Sequence, residues 1–296
     1  MALLRSLGLA YDRWRSRDTP HPPPLPDGRT TPRLPLPSGD VRVLMQDGPG
    51  PTVLLAADPP NGIEHQLPLL DALDGRARVI AFEPPGFGWS TVSSDYSWDV
   101  EGLVAVTREL LDATRTERAV LAYPCVLGLA AVRAAHEIPG RVQGLVLSQA
   151  PDHRSALAWR DGIDPKGRLS RPLIGQLFVH MGESRIPPQW YRAAEPDETR
   201  RLTYAAHAVA RRKRGAVFTL ASGLQGLDGG NPLDGIVVRC PTATLWGGAD
   251  RSHTRDHATS LHRHLDAPWH RFDPEAGHFP ELSRPDLFLA ALDAVQ

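Results

Sequence analysis

Residues 119–136, AVLAYPCVLGLAAVRAAH, read as an apolar strand that runs straight into a helix, with Cys125 at the turn. AVLAYP (119–124) is too short for a helix and shows no polar alternation. Val126 to His136 carries apolar side chains at helical spacing. A strand that is apolar throughout must be covered on both faces, which is the environment of a parallel sheet.

The same alternation extends both ways. Upstream, PRLPLP and DVRVLMQD flank Ser38-Gly39 as a hairpin, then TVLLAA (52–57) is a strand and Gln66–Leu73 a helix. RVIAFE (78–83) is the next strand, followed by the helix SWDVEGLVAVTRELLDA with Ser97 or Asp99 as its cap. Downstream come VQGLVLSQA (142–150), TATLWGG (242–248), a helix near Asp256–Leu265, the strand WHRFD (269–273) and a last helix from Pro285. Residues 151–236 interrupt the pattern with helical periodicity alone. The expected fold is α/β, a mostly parallel central sheet with helices on both faces. Its core is 1–150 and 237–296, and 151–236 form an inserted helical lid. An N-terminal helix and a proline-rich linker occupy 1–30. In that helix Leu3, Leu4, Leu7 and Tyr11 share one face, which is expected to pack on the body.

Composition narrows the function classes. A net charge of −1 points to no nucleic-acid partner, and two cysteines make no disulfide framework. No run is apolar and long enough to span a bilayer, and Arg5, Asp12 and Arg13 break the start of the chain, so a cytoplasmic location is expected. Gly86-Phe87-Gly88 lacks the third glycine of a dinucleotide loop, and the histidines at 253, 257, 262 and 264 are expected to be solvated. No metal and no cofactor is expected.

In a parallel sheet, sites form at the carboxyl ends of strands. Those ends carry Asp58, Cys125, Asp250 and His278, in the order nucleophile, acid, base for the last three. With VIAFEPPGFGWS (79–90), LWGGAD (245–250) and AGHFPELSRP (276–285), the chain resembles the α/β-hydrolase superfamily from about residue 30 to the end, outside the lid. The resemblance implies His278 as catalytic base and Asp250 as its acid. It also implies a nucleophile elbow, Gly-x-Ser-x-Gly, which here reads Tyr123-Pro124-Cys125-Val126-Leu127. Tyr123 and Leu127 are expected to crowd that turn.

A second departure is Ala56-Ala57-Asp58, where the family's oxyanion loop has His-Gly. The backbone N–H groups of Val126 and Asp58 would form the oxyanion hole. Yet like charges at ~4 Å and an effective dielectric of ~20 repel by about 4 kcal/mol, so Asp58 opposes acyl transfer unless it is paired. His65, on the same loop, is the expected partner. The leading expectation is a Cys125–His278–Asp250 enzyme acting on a small or medium apolar ester or thioester. The basic run Arg211–Arg214 reads as a solvated lid face, or else as a contact for the anionic handle of a carrier- or coenzyme A-linked substrate. The alternative is a lyase, isomerase or cyclase that uses His278 with Asp250, and with Asp58 or Tyr123 as matching acid. A non-catalytic ligand-binding protein on the same frame is the third. Trp89, Trp159, Trp246 and Phe279 are the expected pocket residues.

Overall fold

The computed structural model describes residues 2–296. Ten strands lie in it: β1 (Arg33–Leu36), β2 (Gly39–Gln46), β3 (Thr52–Ala56), β4 (Arg78–Phe82), β5 (Phe87–Gly88), β6 (Ala119–Ala122), β7 (Val142–Ser148), β8 (Val217–Phe218), β9 (Thr242–Gly247) and β10 (Trp269–Asp273). Eight of them form one sheet in the order β1-β2-β4-β3-β6-β7-β9-β10. The hairpin β1–β2 and the β2–β4 pair are antiparallel, and every later pair is parallel. The central strands are buried along their length, as their unbroken apolar runs require.

The helices are α1 (Ala2–Ser16), α2 (Leu67–Leu73), α3 (Val100–Ala113), α4 (Gly128–Glu137), α5 (His153–Ile163), α6 (Ile174–Gly182), α7 (Ile186–Ala194), α8 (Glu198–Lys213), α9 (Leu220–Gln225), α10 (Ser260–Leu265), α11 (Pro280–Ser283) and α12 (Pro285–Ala294). Carboxylate caps start three of them: Asp99 accepts from the Gly102 N–H at 2.9 Å, Asp152 from Ser155 and Asp197 from Arg200, both at 2.8 Å. One apolar cluster joins α3, α4 and much of the segment between β7 and β9 to one face of the sheet. A second joins α2 and α12 to the other.

Three expectations change. The segment between β7 and β9 is not purely helical, because Val217–Phe218 pairs antiparallel with Phe87–Gly88 and ties it to the loop after β4. The basic run is a solvated face only at Lys213 and Arg214. Arg211 is buried and pairs with Glu83 and Glu64, while Arg212 lies over the Phe218 ring. With Arg42 these form a buried charge cluster whose centre, Glu83, also accepts the N–H groups of Ile63 and Trp89. It leaves Arg211 unavailable for an anionic handle.

The third change concerns α1, which packs the opposite way round from its apolar face. Leu3, Leu4 and Leu7 are exposed and only Tyr11 of that face is half-buried, edge-on to His180, while Gly8, Asp12 and Ser16 are buried. The reason is a polar socket. Asp12 accepts a 2.7 Å hydrogen bond from Ser222 of α9, and Gln176 of α6 donates to the same serine at 3.1 Å.

Candidate active site

The carboxyl ends of β3, β6, β9 and β10 bring Asp58, Cys125, Asp250 and His278 together. Cys125 follows β6 by two residues and opens the turn into α4 with φ = 51°, a left-handed conformation that costs a non-glycine residue about 1–3 kcal/mol. The expected crowding is absent. Tyr123 turns under the sheet, where its ring meets Phe82 edge-on and its hydroxyl lies 2.8 Å from Thr107. Leu127 faces the cavity. Gly128 makes the tight approach instead, since a Cβ there would sit 2.7 Å from that of Ala150.

Gly247 brings the acid loop and the base loop together, because a Cβ at that position would lie 1.8 Å from the Gly277 carbonyl. The last turn of α7 clasps both loops. The carbonyl of Ala193 accepts the Arg251 N–H at 3.0 Å, and that of Ala194 accepts the His278 N–H at 2.7 Å.

Asp250 accepts five hydrogen bonds. Its Oδ2 takes His278 Nδ1 at 2.7 Å, His253 Nδ1 at 2.9 Å and Gln149 Nε2 at 2.9 Å, and its Oδ1 takes the Ser252 N–H at 2.8 Å and the Ser252 hydroxyl at 2.7 Å. Burial disfavours the charge, but His278 and His253 outweigh it and hold the carboxyl far below its ordinary range. Both imidazoles therefore carry a proton on Nδ1.

The other nitrogen of His278, Nε2, lies 3.1 Å from Asp58 Oδ2. Burial works against an imidazolium here, yet Asp250, the Cys125 sulfur and Asp58 together raise its pKa well above 6.5. The ring is a cation between two carboxylates. Cys125 Sγ is within 4.8 Å of both the His278 nitrogen and the Asp58 oxygen. Burial, then the Asp58 charge, push its thiol up to about 11, against the pull of His278 and the Val126 N–H.

Several expected roles do not match these positions. Asp58 is paired with His278 and not with His65. His65 accepts from the Gly62 N–H at 3.0 Å, lies 3.3 Å from the Tyr204 carbonyl, and is pushed down to about 3 by burial and by Arg211. Tyr123, facing Thr107, is too remote to be the matching acid. Trp89, Trp246 and Phe279 do not line the cavity. Trp89 lies in the core, Trp246 meets His253 edge-on, and Phe279 packs among Tyr191, Tyr204 and His278. Trp159 does line it, together with Trp190, whose ring meets His278 edge-on at 4.9 Å. His253 and His257 are buried and not solvated. His253 precedes α10, stacks on Trp159 and, pushed down to about 4 chiefly by burial, is neutral.

Gln149 lies in no recognisable motif, and Glu281, although inside AGHFPELSRP, was not singled out there. Gln149 follows β7 with φ = 52° and locks the acid loop by accepting the Gly247 N–H at 2.8 Å. Glu281 is buried on α11, and burial raises its carboxyl to about 7, aided by the Asp58 charge. A carboxyl held neutral in the fold loses stability relative to the unfolded chain as pH climbs from 4.5 to about 7. The loss amounts to about 3 kcal/mol. Glu281→Gln is expected to flatten the fall in unfolding free energy across that interval, measured by denaturant titration at a series of pH values.

Two triplets, Asp58/Cys125/His278 and Asp250/His253/His278, bring potential metal ligands within 4.8 Å of one another. A ligating His278 must be neutral at the coordinating nitrogen. Its cationic state, with both nitrogens engaged by carboxylates, fits hydrogen bonding better than coordination.

Above these groups opens a cavity of about 770 Å³, with Asp58, Cys125 and His278 in its wall beside Trp159, Trp190 and Phe178. That is the size and character of a small-molecule site.

No family model matches the chain, and no curated protein matches it by sequence. Solved structures do. An esterase from Thermogutta terrifontis superposes with a TM-score of 0.66 and 20% identity, covering 89% of this chain and 97% of that one. Epoxide hydrolase A from Mycobacterium thermoresistibile gives 0.70 and 17%, covering 89% and 96%. The enol-lactonase from Burkholderia xenovorans gives 0.68 and 20%, covering 88% and 98%. The chain has the α/β-hydrolase fold.

Proposed function

We propose that this protein is an α/β-hydrolase-fold enzyme that moves protons on a small or medium apolar substrate, with Asp58 and His278 as its acid–base pair. The contact that carries this reading is the 3.1 Å approach of His278 Nε2 to Asp58. It places on Asp58 the nitrogen that a thiol nucleophile would need. The pair closes its own proton balance. Oδ2 of Asp58 takes a proton from a substrate carbon, and Nε2 of His278 gives one to a substrate oxygen or leaving group. Such a balance suits an isomerisation or elimination. Asp250 and His253 position the ring and do not touch the substrate. The helical segment between β7 and β9 acts as a lid, and the apolar wall of Trp159, Trp190 and Phe178 favours an uncharged substrate body. Lys166, Arg168 and Arg251 also face the cavity, so an anionic tail fits there.

A second reading has Cys125 as nucleophile in ester or thioester hydrolysis, with the Val126 and Asp58 N–H groups as oxyanion donors. The left-handed turn at Cys125 favours it. The raised thiol and the Asp58 charge oppose it. A single experiment separates the two. Aryl esters and enolisable ketones are incubated in D2O with the wild type and with Cys125→Ala. The acid–base reading expects deuterium incorporation or double-bond migration, with rates in the variant within about threefold of wild type. Ester cleavage lost in Cys125→Ala, with no exchange in either protein, establishes the thiol instead. Binding without any turnover leaves only a ligand-binding role.

A further inference from the structure

We propose that α1 and α6 together form a docking surface for an anionic phospholipid membrane. The inference begins with the inverted polarity of α1. Successive residues advance 100° around a helix, so Leu3, Leu7 and Trp14 make one stripe opposite Asp12, with Leu4 on its flank toward Gly8. A helix that packs on a core to bury apolar area would turn the leucines inward. Here Leu3 is 73% and Trp14 60% exposed, while Asp12 is 2% and Ser16 0%. The socket formed by Ser222 and Gln176 holds the polar stripe, and Arg13 donates to the Tyr96 carbonyl at 2.8 Å. The helix is therefore keyed in this orientation by directional bonds, and rolling its leucines inward would leave the buried Ser222 hydroxyl without its acceptor.

The neighbouring helix continues the surface. On α6, Ile174 (53%), Leu177 and Met181 (78%) are exposed one turn apart. Phe178, on another face of the same helix, lines the cavity. The two helices pack directly on one another, Gly8 against Gln176 and the Tyr11 ring 6.1 Å from that of His180. Isolated exposed leucines are ordinary, but seven exposed large apolar side chains on two packed helices mark an interaction site.

Charge selects the occupant. Arg17 just beyond α1, and Arg171 and Arg185 just outside the ends of α6, are all exposed. The acidic groups that α1 and α6 present nearby are engaged. Asp12 is buried on Ser222, and Glu183 pairs with Arg15 at 2.8 Å. Asp18, just past α1, is the exposed exception. Apolar side chains with a Trp, flanked at the helix ends by Arg17, Arg171 and Arg185, match the headgroup–acyl boundary of an anionic leaflet. A twofold dimer through the same patch would bring each set of arginines against its own copy. Bound this way, the protein would present the lid helix over the cavity to the lipid phase, from which an apolar substrate can enter.

The test is co-sedimentation of the full chain with extruded vesicles, one set of phosphatidylcholine alone and one with about 30 mol% phosphatidylglycerol. Binding is expected to the anionic vesicles, falling about tenfold or more in Leu3→Ser/Leu7→Ser/Trp14→Ser. Arg17→Gln/Arg171→Gln, which touches no buried group, is expected to lose about fivefold per arginine and to lessen the salt dependence. Unchanged unfolding midpoints show that both variants fold. Absence of binding to anionic vesicles overturns the proposal, and so does equal binding to both vesicle types. Self-association in sedimentation velocity that the leucine substitutions abolish, without vesicle binding, assigns the patch to a second copy.

Discussion

Asp250→Ala is expected to lower stability by about 3–5 kcal/mol, a fall in Tm of about 5–10 °C, and to remove turnover. The size of the effect follows from what the carboxylate holds. Five donors converge on it, three of them from the buried side chains of His278, His253 and Gln149. None of these can reach water when the acceptor is gone, and an orphaned buried donor costs about 1–3 kcal/mol. The two histidines sit 5.1 Å apart with their rings facing the same carboxylate, so both lose their orientation at once. Asp250→Asn keeps the volume but places an amide against two imidazole N–H groups. It is expected to keep part of the stability and little of the activity. Differential scanning calorimetry read against turnover separates the two losses.

Asp58→Asn is expected to act chiefly on chemistry. Asp58 lies at the cavity wall, and His278 keeps its Asp250 contact without it. Loss of the group that accepts the substrate proton removes a contribution of about 10²–10⁴-fold to kcat. The same substitution removes the negative charge that helps to push the Cys125 thiol up to about 11. Alkylation of Cys125 by iodoacetamide is therefore expected to speed up at alkaline pH while turnover falls. If the thiol were the nucleophile, Asp58→Asn would raise both together, because it relieves the repulsion of an oxyanion.

Most of the frame was legible because parallel strands leave an unbroken apolar signature, and TVLLAA, RVIAFE and TATLWGG carry it plainly. The ends of those strands led to Asp58, Cys125, Asp250 and His278 on one edge of the sheet. Side-chain direction was not legible. Tyr123 and Leu127 flank Cys125 in sequence, yet one points beneath the sheet and the other into the cavity. Nor was partnership across the fold. Asp58 lies seven residues from His65 and 220 from His278, and it chose the distant ring. His253 looked like a member of a solvated helix because its neighbours at 262 and 264 belong to one, but the chain bends at Asp250 and carries it inward. The inverted packing of α1 had the same cause. Periodicity located the apolar stripe, but the polar socket that overrides it is built by Gln176 and Ser222, far away in the chain.

The claim on which the rest depends is that His278 is a cation whose Nε2 proton is held by Asp58. The direct measurement is an NMR pH titration of the His278 imidazole in the wild type, in Asp58→Asn and in Cys125→Ala. A group with a raised pKa in the fold stays protonated above its ordinary 6.5, and its stabilising contribution is lost only as pH rises through the folded value. The wild-type ring is therefore expected to remain an imidazolium at about pH 7.5, with a lower midpoint both in Asp58→Asn and in Cys125→Ala. A wild-type ring that turns neutral at or below 6.5, or a midpoint indifferent to Asp58→Asn, would contradict the account.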